Sequence, residues 1–526
     1  MSWPTQGIKG LLILCCTTYS LNVAKAQPND EWMLNPAVNS NTSKADDFSR
    51  LDQEIKELQA ELISFEERFT KNSRQLSLNA VVELALKNNP TLQASIDQVR
   101  SSEWLLTASQ QSWYPVLSLN SSGIPSYGVN STYSYGALTN EQQSTSRLEA
   151  GLNTQFGWTF LDPQRQPNIN TSYYQLSADR LLFYTTARDT ISNAQIGYYN
   201  LQGSIENIKN FQEIVSATQK SYNSIANKYK SGYANLLQVE QIRAQLELDL
   251  NNLISYYINY SQNAAQLSAY VGLPESTIIT PSSPLAKERA WTEGLEQSIK
   301  LGLSNSERIQ QALAQADQNK WQGYFELNTY LPKFTLSIAS QANHGSLRQS
   351  SWGTYNNQYG TQNGNTYASL GFQWQLFNGG IDYSKANSYF SLQQESLERS
   401  RAQSDLVASS VRSNFASMFG NSKAVNVTNR AYRSAQVANE AATMRYRAGL
   451  DDVTTIVQTV QLLGNSSISR TGAIVGYNTA ISNLYRYAAI WPPNTYQLVE
   501  ELLSPRETTI RQSALPEPTG KAPSKQ

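Results

Sequence analysis

The sequence reads K-Y-K-S-G-Y-A-N-L-L-Q-V from Lys228 to Val239, and R-Y-R-A-G-L-D-D-V-T-T-I from Arg445 to Ile456. In each stretch a long helical pattern carries a basic-Tyr-basic triplet, stops at a glycine and restarts behind a polar residue. Gly232 and Gly449 suit the left-handed C-cap, where a Cβ would clash. Asn235 and Asp452 are good N-caps for the returning helices, and Gln238 stands where a capping box wants it. Each stretch therefore predicts the sharp end of a helical hairpin. Gly449 lies 217 residues after Gly232, so the pattern occurs twice.

The chain before each tip repeats the same order. Ala85-Leu86-Lys87-Asn88-Asn89 is echoed by Gly302-Leu303-Ser304-Asn305-Ser306, and Tyr114-Pro115 by Leu331-Pro332. Pro90 breaks a helical pattern that runs from Leu76 to Ser112, because a helix interior cannot accept proline without a lost bond and a clash. The period then changes to two at Leu117 and Leu119, matched by Phe334, Leu336 and Ile338. A turn-rich segment, Gly123 to Ser146, leads to a predicted strand of about ten residues. Its apolar face is Leu152, Phe156, Trp158 and Phe160, and Asp162-Pro163 ends it. In the second half Asn343 to Thr366 is again turn-rich, placing His344 in a loop. Leu370, Phe372, Trp374 and Leu376 copy the strand, and Asn378-Gly379-Gly380 ends it. Asn168 to Tyr229 then reads as one helix of about 90 Å, with a return from Asn235 to Tyr270 closed by Gly272-Leu273-Pro274. The second long helix runs to Tyr446, and its return ends at Ile490-Trp491-Pro492-Pro493.

Composition bounds the rest. The 526 residues carry zero formal net charge, 30 Tyr, one His and two Cys. Nothing there points to nucleic acid. Lys9, the apolar run Gly10 to Leu21 and Ala24-Lys25-Ala26 read as a secretory signal that takes Cys15 and Cys16 with it, and Ile13-Leu14 does not fit a lipid-anchored cysteine. The mature chain then holds no thiol for a disulfide or metal site. Lone His344 has no companion ligand, and no phosphate loop or nucleophile motif stands out, so no catalytic residue, metal or cofactor is expected. Phe48, Leu51, Ile55, Leu58, Leu62, Phe65 and Phe69 keep a heptad seam, a short helix that packs on its own body or on a partner.

The division expected is a signal at 1–26, a polar linker and heptad helix at 27–75, a first repeat at 76–274, a linker at 275–290, a second repeat at 291–493 and an extension at 494–526, disordered from Pro505. The fold class expected is mixed α and membrane β, long antiparallel helical hairpins with four strands per chain. Four strands cannot close, and an open edge in lipid strands backbone groups at several kcal/mol each. Two chains would make an eight-strand barrel filled by side chains, three a twelve-strand barrel with a lumen.

Helix, Pro-led strand, loop, strand, long helix, Tyr-x-x-Gly tip and return helix, all done twice over Leu76 to Pro493, resemble the TolC-like outer-membrane efflux proteins. The resemblance implies a homotrimer with a shared barrel in outer-membrane lipid and a helical tunnel through the periplasm. It implies two further partners, a periplasmic adaptor (membrane fusion) protein and an inner-membrane ABC or drug-efflux transporter. It places the gate and adaptor contact at Tyr229, Gly232, Gln238, Tyr446, Gly449, Asp451, Asp452, Thr455 and Gln458. Tyr446 matches a family latch residue. Asp451 stands where the family has Arg, Gln238 where it has the acidic partner, and Thr455 and Gln458 where it has aspartate rings. Any latch here must use Tyr446, Asp451 or Asp452 with Lys228, Lys230, Arg445 or Arg447. The other reading is a periplasmic coiled-coil scaffold or adaptor without a pore.

Overall fold

The computed structural model describes residues 44–71, 73–136, 140–274, 277–288, 290–351 and 355–503. The expected signal segment, the stretch 27–43 and the tail from Pro505 lie outside them. The chain falls into two compact units, Met1–Glu57 and Leu58–Gln526. In the first, the described residues form the start of helix α1 (Lys44–Thr70), where Arg50 pairs with Glu54 one turn on.

The second unit is mostly helical, with one antiparallel sheet. α2 (Leu78–Asn88) and α3 (Pro90–Gln111) are separated at Asn89, whose side chain accepts from Leu92 N–H and donates to Tyr270 O at 2.7 Å. Pro90 sits at the first position of α3, where its missing N–H costs nothing. Strands β2 (Val116–Tyr135) and β3 (Asn140–Leu161) lead into α4 (Arg165–Lys230), and α5 (Leu236–Val271) returns to a left-handed cap at Gly272. α6 (Leu295–Asn305), α7 (Glu307–Leu327), β5 (Lys333–Ser351), β6 (Tyr355–Gln373), α8 (Ile381–Arg447) and α9 (Val453–Tyr487) follow in the same order. The long helices have 66 and 67 residues, about 100 Å each.

The strands correct the sequence reading. They run 19 to 22 residues, about twice the expected length, and absorb the segments taken as loops. His344 lies within β5, opposite Ala150 and Gln362, rather than in a loop. Ser, Asn and Gly favour turns in isolation, but two neighbouring strands offer a full ladder, and the Thr, Val and Tyr of 129–135 favour extension. β6 in turn stops at Gln373, level with the start of β5 at Lys333, so Trp374 and Leu376 lie beyond it.

Three elements had no sequence signal. β1 (Ser73–Leu76) pairs in parallel with β4 (Ile278–Pro281), so the segment between the halves joins the body, and α10 (Thr495–Leu503) follows α9. The third is an ion-pair cluster joining α4, α7 and α9. Arg188 meets Glu307 at 2.8 Å and stacks on Trp491 at 3.8 Å, while Asp189 takes Arg308 at 2.7 Å and Arg486 at 2.6 Å. Arg188 is buried and Glu307 largely so, and removing one partner leaves an uncompensated charge. Glu307→Ala is expected to cost about 3 kcal/mol or more, whereas Glu395→Ala, at an exposed pair with Arg399, should cost under about 0.5 kcal/mol. Denaturant unfolding of the two variants measures the difference.

Candidate functional site

Two regions bear on function, the face of the four-stranded sheet and the paired helix tips. Sheet order is β2-β3-β5-β6, antiparallel throughout. Register places Leu117, Phe156, Ile338 and Ala368 in one row across it, and Trp158, Leu336 and Leu370 in the next. Period two then puts Leu119, Leu152 and Phe372 on that face as well. Phe160, Phe334 and Phe372 form an aromatic run at centroid spacings of 6.2 and 6.0 Å. The opposite face carries Ser118, Gln155, Ser337 and Ser369. The apolar face is bare in the single chain, with Leu117 71% and Phe372 69% exposed. Neither β2 nor β6 has a second strand neighbour among the described residues.

At the helical end of the sheet the two halves match in detail. Trp158 Nε1–H donates to Trp113 O at 3.0 Å and Trp374 Nε1–H to Tyr330 O at 2.9 Å. Arg165 stacks on Trp113 at 4.3 Å and donates to Thr159 O. Asp162 pairs with Lys333, and Gln164 donates to Phe325 O and Thr329, which ties the entry of α4 to the second half. Gln164 and Lys333 carried no sequence signal, because their partners lie more than 150 residues away and share no pattern.

The tips close as the glycines require. Gly232 has φ +79° and Gly449 φ +74°. Gly232 N–H donates to Tyr229 O and Tyr233 N–H to Lys228 O, and Gly449 and Leu450 do the same to Tyr446 and Arg445. Each is a Schellman cap, with the residue after the glycine reaching the third-last helical carbonyl. The capping box at Asn235 and Gln238 is complete, with bonds of 2.9 and 3.1 Å.

The structure brings the two tips together. Lys228 Nζ donates to Tyr446 O at 3.2 Å and lies 4.1 Å from the Tyr446 ring centroid. The carbonyl belongs to the C-terminal turn of α8, whose dipole favours a cation. Gln238, already in its own capping box, also donates Nε2–H to Asp452 Oδ1 at 2.9 Å. Asp452 in turn accepts from Val453 N–H, capping α9. Asp451 instead stays within its hairpin, accepting from Arg445 at 3.1 Å and Thr455 at 2.9 Å. Tyr229 is half-buried and Gln458 exposed.

Electrostatics follow these contacts. The Thr455 hydroxyl, the Asp452 N–H and Arg445 hold Asp451 below the usual carboxylate range, and Gln238 and Val453 N–H do so for Asp452. Burial, then the Asp452 carboxylate, pushes the Tyr446 phenol up. No group of metal-binding residues occurs among the described residues, and none of the described helices is long and apolar enough to cross a membrane.

An antiparallel sheet with one apolar face is continued by paired helical hairpins. Residues 81–273 match the outer membrane efflux protein family. The outer membrane protein TolC of Escherichia coli K12 is 22% identical over 388 residues, which is 72% of this chain and 76% of TolC. The cation efflux system protein CusC of E. coli O157:H7 is 24% identical over 253 residues, 46% of this chain; the match spans about half of CusC, 51%. The Campylobacter jejuni CmeC outer membrane channel superposes with a TM-score of 0.65 at 17% identity, covering 81% of this chain and 89% of CmeC. The comparisons show the resemblance to the TolC-like outer-membrane efflux proteins and, with it, an outer-membrane location.

Because Asp452 has a depressed folded pKa, its contribution to the tip contact is present above the ordinary carboxylate value and lost as pH falls through the folded one. Spin labels at Tyr233→Cys and Leu450→Cys, both exposed at the tips, should keep one narrow separation from about pH 7 to pH 5. That distribution is expected to broaden below about pH 4, as read by pulsed dipolar spectroscopy.

Proposed function

We propose that this protein is the exit duct of a tripartite export system, built from two internal repeats and assembled as a homotrimer. The observation that carries the reading is the apolar sheet face with two open edges. In lipid each unpaired N–H and C=O on those edges costs several kcal/mol. A second and third copy supply neighbours for β2 and β6, and twelve strands leave a lumen that eight do not. The hairpins of three copies then form the tunnel, with the tips at its periplasmic mouth. There an adaptor protein docks and connects the duct to an inner-membrane ABC or drug-efflux transporter. The cargo, small molecules or polypeptides, passes without bond chemistry, so the protein is not an enzyme.

Gating sits at the tips, in the two contacts that cross from one hairpin to the other. Lys228 holds Tyr446 through its ring and carbonyl, and Gln238 holds Asp452. Asp451 braces its own hairpin rather than the crossing.

Native mass spectrometry of detergent-extracted protein is expected to give the trimer mass, and Tyr135→Cys on intact cells should react with an impermeant maleimide. A soluble monomer with that position shielded would instead favour the pore-free periplasmic scaffold. Lys228→Met combined with Gln238→Leu should raise single-channel conductance several-fold. Tyr446→Phe, which keeps ring and carbonyl, should stay near wild type. Equal conductance in all three proteins would reject this latch.

A further inference from the structure

A carboxylate lies inside the helical hairpins, one-third of the way up α5, where nothing in the duct reading employs it. Asp249 is 3% exposed and accepts from Thr218 of α4 at 2.8 Å and from Gln245 of its own helix at 2.8 Å. Gln245, 5% exposed, passes the chain on, since its Oε1 accepts from Gln461 Nε2 of α9 at 2.9 Å. Thr218, Asp249 and Gln245, all buried, and the exposed Gln461 thus make one hydrogen-bonded relay from the first hairpin to the second. It lies about 20 Å along α5 from the Asn235 cap.

Both direct donors to Asp249 are neutral. On α4 the residue turned to it is Thr218. Lys220 and Glu213 of the same helix line the groove towards α8. On α9 the relay meets Gln461 between Val460 and Gly464, and the nearest charged residues along that helix are Asp452 at its cap and Arg470, which is paired with Glu206. On α5 itself, Glu247 and Arg243 stand about 160° and 120° round the helix from Asp249. A buried carboxylate so placed has hydrogen bonds but no ion partner among the described residues, and its charged form bears the desolvation.

We propose that Asp249 is a proton-operated strap between the two hairpins. When ionised, the carboxylate only accepts, which fixes the polarity of the relay. Gln245 must donate to Asp249 and turn its carbonyl to Gln461. When protonated, the carboxyl both donates and accepts, so Thr218 and Gln245 are satisfied in either direction and no charge is buried. Burial pushes the Asp249 carboxyl up from 3.8 to about 6, against the opposing hydrogen bonds from Thr218 and Gln245. The folded protein therefore holds this proton more tightly than the unfolded chain. Hairpin stability rises as pH falls through about 6 towards 3.8 and is lost as pH rises through that window. This is opposite in sign to Asp452 at the tips, so mild acid tightens the shaft while leaving the mouth unchanged.

Hydrogen exchange of the full chain in detergent, followed by mass spectrometry and corrected for intrinsic rates, tests the strap. Peptides of α4 and α5 around Thr218 and Asp249, and of α9 around Gln461, should exchange roughly tenfold more slowly at about pH 5 than at about pH 7. Asp249→Asn, a neutral side chain of the same shape, should exchange at the slow rate at both pH values. Gln461→Leu should keep the response in α4 and α5 and lose it in α9. A wild-type protein without the pH difference would overturn the proposal, as would a difference of equal size in Asp249→Asn. A response that still reaches α9 in Gln461→Leu would overturn the link between hairpins.

Discussion

Every backbone N–H and C=O placed in hydrocarbon must be handed to a neighbouring strand, because no water is there to take it. β3 and β5 meet that condition within one chain, while β2 and β6 meet it on one side only. The rest of the molecule follows from this. Under the proposed function, a sheet too narrow to close is completed by copies of itself, and whatever hangs from it is arranged around a common axis. The junction carries the orientation: Trp158 and Trp374 bond the backbone on the helical side, while Arg165 and the Asp162–Lys333 pair tie α4 to the start of β5.

Helix lengths transmit that arrangement to the far end. α4 and α8 differ by one residue, as do α5 and α9, so the hairpins end at the same level. Matched length allows Lys228 to reach Tyr446, and Gln238 to reach Asp452, across more than two hundred residues of sequence. Contacts of this kind are modest. Lys228 gains from a helix terminus and a ring face, each worth up to about 1 kcal/mol near a surface. Weak contacts suit the proposed gate. The shaft is held differently, by the partly buried cluster at Arg188 and Asp189 and by the relay at Asp249, where polar groups are costly to separate.

Periodicity made the helices, their breaks and both tips legible. Those features are set by interactions within a few residues: Pro90 forbids a helix interior, Gly232 and Gly449 allow the left-handed turn, and Asn235 caps its helix with Gln238. The sheet was only half legible. The alternation at Leu152 to Phe160 placed the apolar face, but the outer halves of the strands, with their Ser, Asn and Gly, carry no local signal for extension. Only the ladder to a neighbour makes them strands, and His344 was misplaced for that reason.

At the tips the sequence named the residues and left their pairing open. It offered Asp451 and Asp452 alike as latch groups. The fold separates them, giving Asp451 to Arg445 in its own hairpin and Asp452 to Gln238 in the other. The amino-acid order by itself determined which segments are helix, where each hairpin turns and which strand face is apolar, because each depends on neighbours a few residues apart. The tertiary structure alone decided strand length, the Arg188–Glu307 cluster, the Asp249 relay and the crossing contacts. These depend on groups brought together from distant parts of the chain, for which no local pattern exists.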